Sequence, residues 1–533
     1  MAAPHREQLI RHCIGAANSI HDECTLSSTT GGGGSPLAAC GQALVDLLSR
    51  QAHSVCSSYR NHESATAGSP TPAEAEAKAE VLTMKRLEDL ASIAYAKFYA
   101  FLYKDLPVCW RQLYTDARIL KFCLLVLRSP YGAADRGIAA NDNGNDDGEE
   151  ATLCELIKTL DLALILAGAA GELRGRGWID TALDLLRLTC IERAATAPTK
   201  SAQAIAASLQ YRAGTTGEGD YADAKVFSTD EPFTPPVKHP IRRVPAPSME
   251  DFQTYLDRAG GAQPLVMRGA IGGSWPALTT RRWDQPSYLL SRTFGGRRLV
   301  PVEVGRSYVD EGWGQRLVTF GSFLREYIDP SLSPTPPPPT STSLPPEANA
   351  TTTAGKPIAY LAQHPLLTQL PSLRADILLP DYCYTSPPAS LTSTDNGEDP
   401  APLDEPLLNA WFGPPGTITP LHTDPYHNVL AQVVGRKYVR LYSAAETPRM
   451  AARGREGGVE MGNTSLVDVG VVEGWDAAED EDDDKQEQRR RQFAEIPFMD
   501  SILEPGDLLY IPVGWWHYVR GLSVSFSVSF WWN

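Results

Sequence analysis

The sequence predicts an α+β protein of more than one domain, in which an N-terminal all-α domain precedes a domain built mainly from strands. Three observations support this prediction. Apolar residues recur at three- and four-residue spacing through residues 36–199, as they do along one face of packed helices. The prolines of FTPPVKHPIRRVPAPS then favour an extended connector within residues 200–247. After it, short runs rich in Val, Ile and Tyr stand between turn residues, which indicates strands.

The helical domain shows its clearest start in PAEAEAKAEVLTMKRLEDLASIAYAKFYAFLY, where Pro and Glu suit the first turn of a helix. Helical periodicity also covers residues 109–128, 151–167 and 178–194, and we expect about five to seven helices. Residues 1–35 end in TTGGGGS and are expected to be flexible. The domain contains no nucleophile motif, paired acids or phosphate loop, so we expect it to be a scaffold or to bind a partner.

The second domain, residues 248–533, begins with a predicted helix in MEDFQTYLDRA and continues with predicted strands in QPLVMRGAI, RRLVPVEVG and KPIAYLAQH. Three insertions rich in Pro, Ser, Thr or charged residues interrupt it, at residues 330–355, 386–406 and 446–492. We expect them to be loops that project from the domain. The closing SVSFSVSFWW alternates strictly, which predicts a strand buried on one face only.

Composition restricts the class of protein. The 533 residues contain no apolar run of signal-peptide or membrane-spanning length, so we expect an intracellular protein without a membrane segment. Nine cysteines form no C-x-x-C pair, which argues against a disulfide framework or a zinc finger and favours reduced, buried thiols. The net charge of −16 argues against direct nucleic-acid binding and is compatible with a basic protein partner.

A candidate metal site lies in TPLHTDPYHN. His422 and Asp424 stand two residues apart, so on an extended segment both side chains leave the same face. A lone H-x-D is more often a surface His beside a turn Asp. His517, in GDLLYIPVGWWHYVRG, is the best third ligand. Two His and one carboxylate form the facial triad of non-haem iron(II) oxygenases, which leaves coordination positions open.

Lys437 lies on the next strand-like run, QVVGRKYVRLYS, whose alternating Val and Tyr predict a buried face. A buried ammonium is costly unless it meets an anion, so Lys437 is a candidate for binding a carboxylate. The alternative is a strand lysine whose stem is buried and whose charge reaches solvent.

Together these residues carry a resemblance to a known family. TPLHTDPYHNVLAQVVGRKYVRLYS, GDLLYIPVGWWHYVRGLSVSFSVSFWW and YLAQH resemble the jumonji-C (JmjC) family of Fe(II)- and 2-oxoglutarate-dependent oxygenases, from about residue 264 onward. They are similar to the subgroup with a helical N-terminal region, described as arginyl hydroxylases and histone lysine demethylases. The resemblance implies a double-stranded β-helix (cupin, jelly-roll) barrel. It also implies Fe(II) on His422, Asp424 and His517, with 2-oxoglutarate and dioxygen as cosubstrates.

The resemblance further implies how 2-oxoglutarate is bound. Its distal carboxylate would meet Lys437 and accept hydrogen bonds from Thr419 and Tyr360, and Asn428 would contact the cosubstrate as well. For Thr419, Tyr360 and Asn428 the alternative is ordinary packing in a strand or turn.

For the substrate, the resemblance points to Glu303, Trp313 and Trp411, where an acid can pair with a guanidinium and an aromatic plane can stack on it. The alternative is that both Trp belong to the core and Glu303 to the surface. We expect arginine hydroxylation of a basic protein or peptide, of histone or ribosomal type, with histone lysine demethylation as the alternative. The resemblance also suggests a nuclear or cytoplasmic location. A metallopeptidase, whose H-E-x-x-H motif is missing, and a non-catalytic binding module are the remaining classes.

Overall fold

A computed structural model describes residues 4–29, 35–66, 73–101, 105–132, 146–211, 226–259, 261–309, 312–330, 358–388, 402–456, 459–477, 490–491 and 493–533. They form two compact units. The helical unit comprises Met1–Tyr211 and Thr293–Leu299, and the sheet unit comprises Arg212–Arg292 and Val300–Asn533. Predicted helices and strands therefore separate as expected, except that seven residues from the middle of the strand-rich half belong to the helical unit.

Seven α-helices occupy the described part of the helical unit: α1 Pro4–Thr29, α2 Gln42–Thr66, α3 Ala73–Phe98, α4 Val108–Arg128, α5 Asp146–Ala167, α6 Gly175–Thr196 and α7 Lys200–Ser208. The expectation of a flexible start is wrong for residues 4–29, because α1 buries Leu9, Cys13, Ile20 and Cys24. Helix α7 likewise occupies the first residues of the expected connector. Several of the residues that α1 buries, such as Cys13, are small and only weakly apolar. The difference in hydrophobicity between its two faces is therefore small, and the sequence shows only a weak amphipathic pattern.

Buried ion pairs hold the helical unit together beside its apolar core. Arg174, which precedes α6, donates to Asp116 of α4 at 3.0 Å and to Glu23 of α1. The Thr293–Leu299 segment is fixed in the same way, since Arg298 donates to Asp161 at 2.8 Å and Arg297 to Glu150 at 2.7 Å. The pairs Arg174–Asp116 and Arg298–Asp161 are costly to break singly, because the remaining charge stays buried.

The sheet unit contains two short helices after the connector, α8 Met249–Leu256 and α9 Pro286–Arg292, four single-turn helices, α10 Phe320–Phe323, α11 Leu366–Gln369, α12 Pro371–Arg374 and α13 Val469–Val472, and fifteen described strands. The strands are β1 Arg243–Pro245, β2 Leu265–Arg268, β3 Leu299–Val304, β4 Gly314–Thr319, β5 Ala359–His364, β6 Leu407–Gly413, β7 Ile418–His422, β8 His427–Val434, β9 Lys437–Tyr442, β10 Arg455–Glu456, β11 Val459–Glu460, β12 Phe498–Leu503, β13 Asp507–Ile511, β14 Trp516–Gly521 and β15 Ser525–Trp532.

Two sheets carry the core of this unit. One has nine strands in the order β1-β2-β13-β8-β15-β6-β5-β3-β4, and the other has four in the order β12-β9-β14-β7. Their inner faces pack together through one apolar cluster, in which Leu430 and Ile511 of the larger sheet join Val439 and Val519 of the smaller. This is the two-sheet arrangement of a cupin or jelly roll, so the predicted fold class is confirmed.

The closing strand β15 is buried on both faces, so the prediction of a half-buried strand is wrong. Phe526 packs on one side, and the serines alternate with it on the other side at 0% exposure. Ser527 donates to Gln432 at 2.7 Å, and Ser529 accepts from Trp411 at 3.0 Å. The strict alternation thus reflects a hydrogen-bonded polar interior rather than a solvent face.

The third insertion is wrongly predicted as a projecting loop where the structure describes it. Met450 and Val467 pack against Tyr438 and Tyr518 on the outer face of the four-stranded sheet. Two ion pairs fix the same segment to that sheet: Arg440 with Glu473 and Arg520 with Asp476, both at 2.7 Å. The rest of this insertion, and most of the other two, lie outside the described residues: 331–357, 389–401, 457–458, 478–489 and 492.

The remaining sequence expectations concern membranes and thiols. None of the described helices combines the length and the apolar character that crossing a bilayer requires. All nine cysteines are free thiols, and eight of them are buried, as expected from their spacing.

Candidate metal centre

Two paired strands and the turn after one of them bring the predicted ligands together. His422 is the last residue of β7, Asp424 follows two residues later, and His517 lies on β14 opposite His422 in the antiparallel register. Ligand atoms of the three residues all lie within 4.8 Å of one another. Nε2 of His422 is 3.6 Å from Asp424 Oδ1, and Nε2 of His517 is 3.5 Å from Oδ2. The β7–β14 pairing therefore closes a gap of almost one hundred residues.

Main-chain carbonyls set the orientation of both imidazoles. Nδ1 of His422 lies 2.7 Å from the carbonyl oxygen of Pro420, and Nδ1 of His517 lies 3.0 Å from that of Trp515. A carbonyl can only accept, so each Nδ1 carries a proton and each Nε2 is the nitrogen directed at the site. This is the usual arrangement of a histidine that binds a metal through Nε2.

The ionisation of the three groups suits a divalent cation. Burial lowers the pKa of His422 to about 4, which keeps it neutral. Burial raises the pKa of Asp424, but the imidazoles of His517 and His422 outweigh it and leave that pKa below its ordinary value. Burial opposes the charged form of His517, yet the carboxylate of Asp424 holds the pKa of His517 above its ordinary value. The site thus contains a fixed anion that attracts a positive charge.

Lys437 lies at the start of β9 in the same cavity. Its side chain is 1% exposed, and its Nζ donates to the Tyr360 hydroxyl at 3.2 Å and to the Trp411 carbonyl at 3.4 Å. No carboxylate of the described residues forms an ion pair with it. Burial lowers the pKa of Lys437 to about 7. The predicted alternative, a lysine that reaches solvent, does not agree with this burial.

The other predicted cosubstrate residues line the same cavity, with Leu430, Ile511 and Val519 as its apolar wall. Burial raises the pKa of Tyr360, and the nearby hydroxyl of Thr419 offsets part of that rise. Asn428 Nδ2 is 3.5 Å from Asp424 Oδ2, while Asn428 Oδ1 is buried without a partner.

A glycine on β6 leaves room for Tyr360 in the cavity wall. A Cβ added at Gly413 would lie 2.7 Å from the Tyr360 ring, closer than packed atoms approach. The cavity is therefore lined by a lysine, by the triad and by an amide whose oxygen lacks a partner among the described residues.

Glu303 and Trp313 lie beside this cavity. Glu303 pairs with Tyr360 in the β3–β5 register, so the two side chains share a face of the sheet. Burial raises the pKa of Glu303 to about 7, and Trp313 offsets part of that rise. The indole nitrogen of Trp313 nevertheless lacks a hydrogen bond of acceptable geometry. A half-buried acid and an unpaired donor therefore face the region next to the triad.

Trp411 occupies a different place from the one its predicted role suggests. It lines the cavity that contains Lys437, its ring centroid lies 6.1 Å from that of Tyr360, and its indole donates to Ser529. The structure therefore groups Trp411 with the cosubstrate residues.

Sequence reasoning missed two residues near the triad, Tyr308 and Thr464. Their hydroxyls lie 3.3 Å apart, and Thr464 forms a main-chain bridge with His422. Burial raises the pKa of Tyr308, and the negative charges of Glu303 and Asp424 add to that rise. Thr464 lies in the insertion at residues 446–492, which the sequence predicted to be a projecting loop, and that prediction obscured its position.

Comparisons with known proteins agree with this architecture. A family model described as a cupin-like domain matches residues 253–533. The chain is 37% identical over 322 residues to lysine-specific demethylase 8 of Danio rerio, covering 58% of this chain and 65% of that protein. It is 40% identical over 270 residues to lysine-specific demethylase JMJ30 of Arabidopsis thaliana, covering 51% and 50%.

A third relative is the Jumonji C domain-containing protein 5 of Drosophila melanogaster, 36% identical over 293 residues, covering 55% of this chain and 60% of that protein. The chain thus spans between half and two thirds of the length of these curated relatives. The family match covers more than half of the chain and includes every strand that carries the triad. The chain therefore belongs to the cupin-like, JmjC-type domain family.

Proposed function

We propose that this protein is an Fe(II)- and 2-oxoglutarate-dependent oxygenase that oxidises a cationic side chain of a protein substrate, releasing succinate and CO2. One observation carries the proposal: a buried Lys437, with no counter-ion among the described residues, shares a cavity with a His-Asp-His triad. A small dicarboxylate would satisfy both ends, with one carboxylate at the triad and the other at the lysine.

The donor set fits iron(II). His422, Asp424 and His517 would hold it on one face, and a triad of this kind leaves positions open for cosubstrates. When bound, the iron supplies the redox chemistry that couples decarboxylation of 2-oxoglutarate by dioxygen to oxidation of a substrate C–H bond. The protein contributes orientation, since the carbonyls of Pro420 and Trp515 keep both Nε2 atoms directed at the site.

The residues around Lys437 would bind the distal carboxylate of 2-oxoglutarate. The ammonium group would make a charge-assisted hydrogen bond, and the hydroxyls of Tyr360 and Thr419 would donate two more. Asn428, whose Oδ1 lacks a partner, would make a polar contact near the metal. The apolar wall excludes water and strengthens each of these contacts.

The substrate side of the proposal rests on Glu303. A half-buried carboxylate with no basic partner among the described residues favours a cationic side chain, and the nearby Trp313 offers an aromatic face. Arginine hydroxylation is one candidate, because a guanidinium binds a carboxylate through two parallel hydrogen bonds.

Demethylation of a methylated lysine is the second candidate, and the names of two of the relatives favour it. Tyr308 and Tyr360 also lie close enough to Glu303 for its charge to raise their pKa, so aromatic rings stand near that acid as in a site for a methylated ammonium. A basic substrate of histone or ribosomal type and an intracellular, nuclear or cytoplasmic, location belong to this proposal.

The experiment combines purified protein, Fe(II), 2-oxoglutarate and peptides that contain either arginine or methylated lysine. Succinate and peptide mass are measured together. A gain of one oxygen atom on arginine supports hydroxylation, and loss of a methyl group from lysine supports demethylation. Peptide fragments formed without 2-oxoglutarate would indicate a peptidase, and metal binding without turnover would indicate a binding module.

Two variants make the test specific to the proposed site. His422→Ala should abolish succinate formation. Glu303→Gln should raise KM for the peptide by about tenfold, as expected for the loss of one charged hydrogen-bond partner, while leaving peptide-independent 2-oxoglutarate turnover unchanged. Equal KM values for the Glu303→Gln variant and the unaltered protein would contradict the assigned role of Glu303.

A further inference from the structure

His427 opens strand β8 and lies next to Asn428, but its ring occupies the other face of the strand. It is 8% exposed, and its ring centroid lies 5.9 Å from that of Tyr510 and 5.7 Å from that of Trp532. Successive residues of a strand point to opposite faces, so the His427 imidazole lies behind the cavity that Asn428 lines. None of the cosubstrate or substrate contacts proposed above uses this buried histidine.

The polar contacts of His427 define its tautomer. Nδ1 lies 3.4 Å from the main-chain nitrogen of Val513 and 2.9 Å from the hydroxyl of Tyr510. A main-chain N–H can only donate, so Nδ1 is the acceptor and the proton of the neutral ring is on Nε2. Burial lowers the pKa of His427 to about 4, which agrees with a neutral ring.

Val513 belongs to the turn between β13 and β14, and this turn touches two of the three candidate ligands. The N–H of Gly514 donates to the carbonyl of Asp424 at 3.3 Å. The carbonyl of Trp515 accepts from Nδ1 of His517 at 3.0 Å. One short turn therefore fixes the main chain at Asp424 and the ring orientation of His517.

We propose that His427 is a positioning residue for the metal centre, which holds the β13–β14 turn through Val513 so that Asp424 and His517 present their ligand atoms together. This inference rests on the metal site of the proposed function. It assigns His427 no contact with metal or substrate. The same nitrogen also contacts Tyr510, and that second contact stays within the core, so the two contacts can be separated by substitution.

The test measures Mn(II) binding to the whole purified chain by electron paramagnetic resonance, without cosubstrate or substrate. His427→Phe keeps an aromatic ring but removes the acceptor, and we expect Mn(II) to bind about tenfold or more weakly, as for other groups that support metal ligands. His427→Asn places an amide oxygen near the position of Nδ1 and should bind Mn(II) within about threefold of the unaltered protein. Tyr510→Phe is the matched control, because it removes only the contact within the core, and its affinity should be unchanged.

Unchanged Mn(II) affinity in His427→Phe would overturn the inference, and so would equal losses in His427→Phe and Tyr510→Phe, which would attribute the effect to packing. If His427→Phe does not fold, His427→Asn decides: retained affinity supports the inference, and a loss of about tenfold overturns it. Failure of the unaltered protein to bind Mn(II) would contradict the proposed function itself, and the inference would fall with it.

Discussion

The two charged ends of the cavity are stabilised in different ways. At the metal end, Nε2 of His517 lies 3.5 Å from Asp424, and each of these two groups shifts the pKa of the other towards the charged form, so a group of this chain already balances the carboxylate. At the other end, Lys437 is also buried, but among the described residues its Nζ has two neutral oxygens and no carboxylate within hydrogen-bonding distance. Folding alone therefore assembles the metal end, whereas the lysine end carries a desolvation cost that an anionic ligand would offset.

Removing a candidate metal ligand should give the largest effect. We expect His517→Ala to weaken Mn(II) binding more than about 100-fold, beyond the range seen for groups that only support ligands, and to abolish succinate formation. The substitution should leave the lysine end of the cavity intact. Binding of 2-oxoglutarate alone should therefore still raise the temperature at which the variant unfolds. His239→Gln, which alters an exposed histidine of the same unit, is the control and should bind Mn(II) normally.

Lys437→Met should affect function and stability in opposite directions. The variant loses the partner of the distal carboxylate, and KM for 2-oxoglutarate should rise about 10- to 100-fold, equivalent to one charge-assisted hydrogen bond. The free energy of unfolding of the ligand-free protein should increase by about 1–4 kcal/mol, because an unpaired buried ammonium is replaced by an apolar side chain. Urea denaturation measures the second effect.

Lys238→Met is the matched control, since Lys238 is partly exposed and paired with Glu473. The free energy of unfolding of Lys238→Met should not exceed that of the unaltered protein. A ligand-free Lys437→Met that is less stable than the unaltered protein would show that Lys437 has a partner of its own, and the contrast between the two ends would then be lost.

The stability of the ligand-free protein should depend on pH through Lys437. Burial lowers the pKa of Lys437 from 10.5 to about 7, so between these values the unfolded chain binds more protons than the folded one. The destabilising contribution is therefore complete below pH 7 and is relieved as the pH rises towards 10.5. We expect the unaltered protein to gain about 2–5 kcal/mol over this window relative to Lys437→Met. A flat difference between the two proteins, measured by denaturation at several pH values, would refute this dependence.

Local sequence patterns were enough to identify charged groups at both ends of the cavity. His422 and Asp424 stand at the spacing of an extended segment, and Lys437 interrupts an apolar strand. The pairing of β7 with β14, which brings His517 opposite His422, depends on contacts between distant segments that no local pattern encodes. Tyr308 and Thr464 were missed for the same reason, because each lies in a segment whose position is set by packing.

The errors in the fold also have a physical cause. Polarity suggested that residues 446–477 project into solvent, but their acids, such as Glu473, pair with arginines of the sheet. Alternation suggested that β15 has a solvent face, but Ser527 and Ser529 hydrogen-bond inside the unit. In both cases a polar residue meets a polar partner from a distant segment, and sequence spacing reveals only the polarity.

The smallest predicted effect, that of Ser529→Ala, tests whether the lysine end can be altered without changing the metal end. Ser529 accepts the hydrogen bond from the Trp411 indole, and the carbonyl of Trp411 accepts from Lys437, so Ser529→Ala should loosen the lysine end alone. Leaving a buried donor unpaired costs about 1–3 kcal/mol of stability, and KM for 2-oxoglutarate should rise no more than a few-fold. Mn(II) affinity should not change. Ser525→Ala is the matched control, because Ser525 is equally buried in the same row but its hydroxyl has no hydrogen-bond partner, so its removal should cost nothing. A weaker Mn(II) site in Ser529→Ala would mean that the two ends are coupled through β15 and are not independent.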